Sequence, residues 1–163
     1  MKKSFLFLVL MLALSQANAQ PVPLYHPEAD AVKDLAAVIK KAAAEKKHVL
    51  IQAGGNWCSW CIEFARLSKA TPKIDSVIKA GFVVYHLNWS KENQNKKIFE
   101  RYGYAQRFGF PVFIILNEKG ERIHTQNSEY LEDGKKSYNT SKVQAFLEMW
   151  SPRALNAEMY GGK

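Results

Sequence analysis

The chain has 163 residues, of which 47% are hydrophobic, and this is enough for one domain with a hydrophobic core. Its formal net charge is +8, but the lysines are spread along the sequence, mixed with acids and without interleaved arginines and aromatics. We interpret them as solvated helix faces and expect no binding to nucleic acid.

The first 19 residues have the pattern of a cleavable signal peptide. Two lysines precede the apolar run Phe5 to Leu14, and Ala17-Asn18-Ala19 places small residues at both recognition positions of a signal peptidase. We predict cleavage before Gln20, which leaves residues 20–163 as one periplasmic or secreted domain. No later segment approaches the roughly 20 apolar residues of a spanning helix, so we expect the mature protein not to span a membrane.

The first half of the predicted domain contains a lead-in, a helix and a strand. Gln20 to Pro27 holds three prolines and is expected to be extended. Glu28 to Lys47 is predicted to be a helix, because apolar residues recur at three- and four-residue steps. Its predicted buried face consists of Val32, Leu35, Ala36, Ile39 and Ala43. His48 to Ala53 is predicted to be a strand buried on both faces.

The same patterns predict further helices and strands downstream. The predicted helices are Ser59–Ala70, its continuation Lys73–Lys79 after a break at Thr71-Pro72, a short surface helix within Glu92–Tyr102, and a last helix, capped by Thr140 or Ser141, with Val143, Phe146, Leu147 and Trp150 on one face. The predicted strands are Phe82–Trp89, Val112–Leu116 and Arg122–Gln126, the last two joined by a hairpin turn. We expect a loop over 127–139 and a loosely ordered tail after Pro152.

Both cysteines of the protein lie in the segment Trp57-Cys58-Ser59-Trp60-Cys61, directly after the predicted buried strand. With two residues between them, the first turn of a helix sets both sulfurs on one side, close enough for a disulfide. The unpaired N–H groups at a helix N-terminus favour an ionised thiol, so Cys58 is the predicted nucleophile. Cys61, one turn further in, is the predicted resolving thiol. No second cysteine pair completes a zinc site, so we predict a redox dithiol and no metal.

The sequence also predicts roles for several residues near the cysteines. Gly54 and Gly55 are expected to let the chain turn tightly out of the strand. Trp57 and Trp60 are predicted to form an apolar contact surface for a partner, with packing on the domain as an equal alternative for Trp60. Glu63 is expected to be solvated. The other histidines, His26, His48 and His124, lack the spacing of a metal site.

The motif and its position after a strand resemble the thioredoxin superfamily, whose active site reads Trp-Cys-x-x-Cys. The resemblance implies an α/β, thioredoxin-like fold with a mixed central β-sheet between helices, and a redox-active disulfide without a further cofactor. It also implies a cis-proline that opens a later strand opposite the cysteines, and Pro111 in Gly109–Leu116 supplies it. In this family the backbone before that proline pairs with a substrate peptide, so Phe110 is expected to line the peptide groove.

The sequence departs from the family pattern in two places. Trp60 stands where the best-known reductases carry proline, which leaves the redox direction open. Gln52 stands where many thioredoxins have a buried acid, and the family's buried lysine aligns with His86. Our hypothesis is that Gln52 and His86 replace that pair, with His86 accepting the proton of Cys61. The alternative is a hydrogen-bonded strand histidine with no catalytic part.

The resemblance implies a thiol-disulfide oxidoreductase that reduces or exchanges disulfides in exported proteins. A membrane-embedded electron donor is an implied partner. The alternative is a binding protein of the same fold, in which the dithiol binds a soft metal ion or a client without turnover.

Overall fold

The computed structural model describes residues 22–161. The predicted signal peptide and its cleavage site before Gln20 lie outside these residues. Within residues 22–161, no helix is both long enough and apolar enough to cross a membrane.

A four-stranded mixed β-sheet forms the centre of the fold. Its strands are β1 (His48–Gly54), β2 (Phe82–Asn88), β3 (Val112–Leu116) and β4 (Arg122–Asn127). They lie in the order β2-β1-β3-β4, with β1 parallel to β2 and the other two pairings antiparallel. The predicted α/β, thioredoxin-like architecture is therefore confirmed, including the hairpin between β3 and β4.

Helices cover both faces of the sheet. They are α1 (Ala31–Glu45), α2 (Ser59–Ala70), α3 (Pro72–Gly81), α4 (Lys96–Arg101) and α5 (Thr140–Met149). Because successive strand residues point to opposite faces, Val49, Ile51 and Ala53 of β1 pack with α1 and α4, whereas Leu50 packs with α2, α3 and α5. Burial on both sides explains why every residue of β1 and β3 is buried, as predicted for β1.

Helix α1 buries a face that only partly matches the predicted one: Leu35 and Ile39 belong to both. Ala31, Leu35 and Ala42 are buried, with Val38 and Ile39 half-buried against the same cluster, whereas Val32 is 62% exposed. In this alanine-rich helix two neighbouring apolar stripes fit a helical period equally well, so periodicity alone does not select the stripe that contacts the sheet.

The segment after β4 is more structured than the loop that we predicted. Residues Ser128–Leu131 form a 3-10 helix, and an isolated bridge pairs Glu132 with Tyr138. Leu131 and Tyr138 are buried in the cluster beneath α2, α3 and α5. These two apolar side chains anchor an otherwise polar segment to the core.

Three further boundaries differ from the prediction. The N-cap of α5 is Asn139, whose Oδ1 accepts hydrogen bonds from the N–H groups of Ser141 and Lys142. The predicted surface helix begins only at Lys96, and its apolar residues are buried under α1. The tail contains two 3-10 helices, Pro152–Leu155 and Ala157–Tyr160.

Candidate active site

The two cysteines form a disulfide at the N-terminus of α2. Cys58 is the N-cap residue, and its sulfur accepts a hydrogen bond from the Cys61 N–H at 3.2 Å. The Cα atoms of the two residues are 5.2 Å apart, across one helical turn. In this oxidised state Cys58 is 5% exposed and Cys61, one turn further in, is fully buried.

The two glycines before the motif are needed for close approach rather than for an unusual backbone conformation. A Cβ atom on Gly54 would overlap the Cys61 sulfur and lie 3.0 Å from the Tyr25 hydroxyl. A Cβ on Gly55 would overlap the Trp57 indole and lie 2.8 Å from the Trp89 carbonyl oxygen. Neither glycine has a positive φ. The chain does turn tightly here, since the Cys58 N–H donates to the Gly55 carbonyl at 3.0 Å, and the missing Cβ atoms add the room that this turn needs.

The lead-in segment completes the site, a contact that the sequence patterns do not predict. Tyr25 is fully buried and packs with Cys58 and Cys61 in one cluster. Its backbone N–H donates to Asn56 Oδ1 at 3.0 Å, and its carbonyl accepts from Asn56 Nδ2 at 2.8 Å. The sequence indicates this contact only through the aromatic Tyr25 among three prolines, whose fixed φ angles favour an extended segment.

Gln52 connects the lead-in to the second cysteine. Its amide nitrogen donates one hydrogen bond to the Tyr25 hydroxyl at 2.9 Å and another to the Cys61 carbonyl at 2.8 Å. Gln52 is buried in β1, and the register of the parallel strands places His86 beside it. The neutral amide therefore occupies the position at which the family resemblance implies a buried acid.

The His86 ring packs against the Tyr25 ring. The two rings meet edge to face, with centroids 5.5 Å apart, and no hydrogen bond within residues 22–161 joins His86 to Gln52 or Cys61. Burial, together with the charges of Lys69 and His26, lowers the pKa of His86 to about 4. These surroundings favour the alternative of a strand histidine; the proton-acceptor role stays a prediction.

Three aromatic side chains, Trp57, Trp60 and Phe110, lie beside the cysteines. Trp57 is 60% exposed, donates its indole N–H to the Trp89 carbonyl at 2.7 Å and meets Phe110 edge to face at 5.8 Å. Phe110 also packs against the cysteine cluster. Trp60 is half-buried against Tyr138, with ring centroids 5.2 Å apart. Trp57 therefore offers an exposed apolar surface, whereas Trp60 packs on the domain.

The Phe110–Pro111 peptide bond is cis, the isomer that the resemblance implies. Pro111 immediately precedes β3, and the register pairs Val112 with Ala53 near the end of β1. This places Pro111 alongside the loop that leads into the cysteine motif.

Glu63 is not the freely solvated side chain that we expected. Its carboxylate accepts hydrogen bonds from two nitrogens of Arg66 and from the Ser137 hydroxyl. These contacts, the Arg66 pair first, lower the pKa of Glu63 to about 2. Glu63 therefore ties α2 to the segment before α5.

The residues described by the structure contain no group of three or more histidine, cysteine or acidic side chains that could hold a metal ion. The remaining histidines are engaged elsewhere. The Nδ1 of buried His48 lies 2.8 Å from the Trp150 carbonyl, and His124 stacks on the Trp150 ring.

A mixed sheet between helical layers, with a Cys-x-x-Cys disulfide at a helix N-terminus beside a cis-proline, defines the thioredoxin class of domain. Comparison with known families agrees with this assignment. The family model described as Thioredoxin-like matches residues 30–118, more than half of the chain, and the protein belongs to that family.

A solved structure with a TM-score above 0.5 shows the same fold. The disulphide isomerase from Xylella fastidiosa Temecula1 is 20% identical, with a TM-score of 0.69, covering 79% of this chain and 97% of its own. A thioredoxin-fold protein from Helicobacter pylori is 19% identical, with a TM-score of 0.42, covering 68% of this chain and 87% of its own. No curated protein sequence matches the chain.

Proposed function

We propose that the protein is an exported thiol-disulfide oxidoreductase that reduces or exchanges disulfides in protein partners. The observation that carries the proposal is the position of Cys58, at the N-cap of α2 with Cys61 bonded to it one turn later. A disulfide that closes so short a loop constrains the unfolded chain little and therefore adds little stability to the fold. This supports a redox role rather than a structural one.

The reaction follows from the two sulfurs. In the reduced protein the Cys58 thiolate attacks one sulfur of a partner disulfide, and the other partner sulfur leaves as a thiolate that takes up a proton. The Cys61 thiolate then attacks Cys58 Sγ and releases the second partner thiolate. The partner gains two electrons and two protons, and the Cys58–Cys61 disulfide is formed. A dithiol donor must reduce this disulfide before the next cycle.

The surface beside Cys58 suits a flexible polypeptide. Trp57 is exposed, and Phe110 links it to the cysteine cluster. We assign Trp57, Phe110 and the backbone before Pro111 to partner binding, with a smaller part for the half-buried Trp60. Large rings with one open face bury much apolar area at little entropic cost, which suits binding of varied sequences.

The proposed compartment rests on the N-terminal sequence. The signal-peptide pattern of residues 1–19 supports export, and the proposed partners are disulfide-containing exported proteins. A reductase outside the cytoplasm needs electrons from within, so we propose a membrane-embedded dithiol donor as a second partner.

Insulin reduction tests the proposal. Protein spanning residues 20–163, with dithiothreitol as the dithiol donor, should accelerate precipitation of the insulin B chain. Cys58→Ser should fall to the uncatalysed rate, whereas Cys61→Ser should accumulate a mixed disulfide with insulin through Cys58.

A wild-type rate equal to that of Cys58→Ser would contradict the proposal. Stoichiometric copper binding by the reduced protein, without turnover, would then support the binding-protein alternative. The equilibrium with glutathione measures the reduction potential and decides between electron donation and disulfide formation.

A further inference from the structure

The Tyr25 hydroxyl is placed against the second cysteine. Tyr25 is completely buried, and it shares a packed cluster with Cys58 and Cys61. Its oxygen and the Cys61 sulfur both contact the side of Gly54 on which a Cβ would stand. Gly54 therefore leaves the space in which the hydroxyl and the sulfur approach each other.

The hydrogen bonds of Gln52 fix the direction in which the Tyr25 hydroxyl can act. The Cys61 carbonyl can only accept, so the group of Gln52 that faces it must be the amide nitrogen. The same nitrogen contacts the Tyr25 hydroxyl, so the tyrosine oxygen accepts that bond. The hydroxyl proton of Tyr25 stays free to donate, and within residues 22–161 it has no acceptor in the oxidised protein.

We propose that the Tyr25 hydroxyl donates a hydrogen bond to Cys61 Sγ when the disulfide opens, and that it stabilises the thiolate which resolves the mixed disulfide. Its importance for turnover rests on the proposed function, but the hydrogen bond itself does not. No proton is transferred to or from Tyr25: the proton of Cys61 leaves to solvent or buffer, and Tyr25 keeps its own.

The titratable groups nearby allow this role. Burial raises the pKa of Tyr25 well above its ordinary value, so its hydroxyl remains protonated and able to donate. His86 contacts the Tyr25 ring, and its lowered pKa keeps it uncharged near neutral pH. Gln52, which bonds the Tyr25 hydroxyl, cannot ionise, so neither neighbour of Tyr25 competes with it as a charged group near Cys61.

The test measures the ionisation of Cys61 directly. In a Cys58→Ser background, the pH dependence of the Cys61 Cβ chemical shift by NMR gives the thiol pKa. Tyr25→Phe keeps the ring and removes only the hydroxyl; it should raise that pKa by about one unit, a tenfold change in ionisation constant worth about 1.4 kcal/mol. A matched control is Tyr102→Phe. It removes a buried hydroxyl that bonds the Gly120 carbonyl in the core cluster beneath α1, and it should leave the Cys61 pKa unchanged.

A second variant separates hydrogen bonding from packing. A ring-fluorinated tyrosine introduced only at position 25 is a stronger hydrogen-bond donor, so it should lower the Cys61 pKa. Opposite shifts for the phenylalanine and fluorotyrosine proteins support the proposal. An unchanged pKa in Tyr25→Phe, or shifts in the same direction, would overturn it.

The outcome is distinguishable from that of the proposed function. If wild-type protein fails to reduce insulin while Tyr25→Phe still raises the Cys61 pKa, the function fails and the hydrogen bond stands. If wild-type protein reduces insulin and Tyr25→Phe neither moves the pKa nor slows release of the mixed disulfide, this inference fails alone.

Discussion

Acidification should destabilise the fold through His86. Burial lowers the pKa of this histidine from 6.5 to about 4 in the folded protein. Below about pH 6.5 the unfolded chain binds a proton at His86 that the folded chain does not, so stability falls as the pH falls through this window. The loss begins near the unfolded pKa and is complete near the folded one.

The magnitude follows from the width of that window. A difference of about 2.5 pKa units corresponds to about 3 kcal/mol of unfolding free energy, taken as an upper bound because His86 is only partly shielded. For a domain of this size, such a loss is a large part of the total stability.

Urea unfolding of the oxidised protein at about pH 7 and about pH 4 provides the measurement. His86→Phe keeps an aromatic ring against Tyr25 but cannot be protonated. Its free energy of unfolding should therefore fall, between the two pH values, by up to about 3 kcal/mol less than that of the wild type. His124→Phe, which replaces a half-buried strand histidine stacked on Trp150, is the matched control and should behave like wild type. Equal losses in His86→Phe and wild type would refute the reasoning.

Three further changes test the packing and the helix ends. Gly54→Ala should cost about 1–3 kcal/mol in urea unfolding, because the new methyl group overlaps the Cys61 sulfur; unchanged stability would contradict the close approach. Asn139→Ala should cost about 1 kcal/mol by removing the cap of α5, and Asn139→Ser should restore most of it. Glu63→Gln should cost up to about 1 kcal/mol at neutral pH and nothing near pH 2, where the wild-type carboxylate becomes protonated; a difference that persists in acid would exclude a charge effect.

The sheet and the helix that carries the cysteines could be predicted because local patterns determine them. The apolar run His48 to Ala53 matches β1 to within one residue, and Ser59–Ala70 matches α2 at both ends. The turn at 117–120 follows from Asn117 and Gly120: the asparagine side chain bonds the turn N–H groups, and the glycine adopts φ +79°. In each case the responsible residues lie within one element.

The contacts that sequence reasoning missed join residues far apart in the chain. Tyr25 and Asn56 are separated by 31 positions, and Glu63 and Ser137 by 74. A polar side chain in one segment gives no indication of which backbone or hydroxyl group it will meet in another. The same limit applies to His86, whose position beside Gln52 was correctly aligned but whose contact with Tyr25 was not foreseen.

Gln52, Tyr25 and His86 are neutral near pH 7, which affects where the Cys61 proton can go in the proposed reaction. A buried acid near a resolving thiol can accept its proton, and its own titration then appears in the pH dependence of the rate. Here Gln52 has no titration, the pKa of His86 is lowered to about 4, and that of Tyr25 is raised. If the Tyr25 hydroxyl stabilises the Cys61 thiolate as proposed, no side chain has to accept the thiol proton, and the pH profile of disulfide exchange between about pH 5 and pH 9 should be set by the two cysteines alone. His86→Ala should leave the shape of that profile unchanged, and loss of an ionisation in this variant would restore His86 as the proton acceptor.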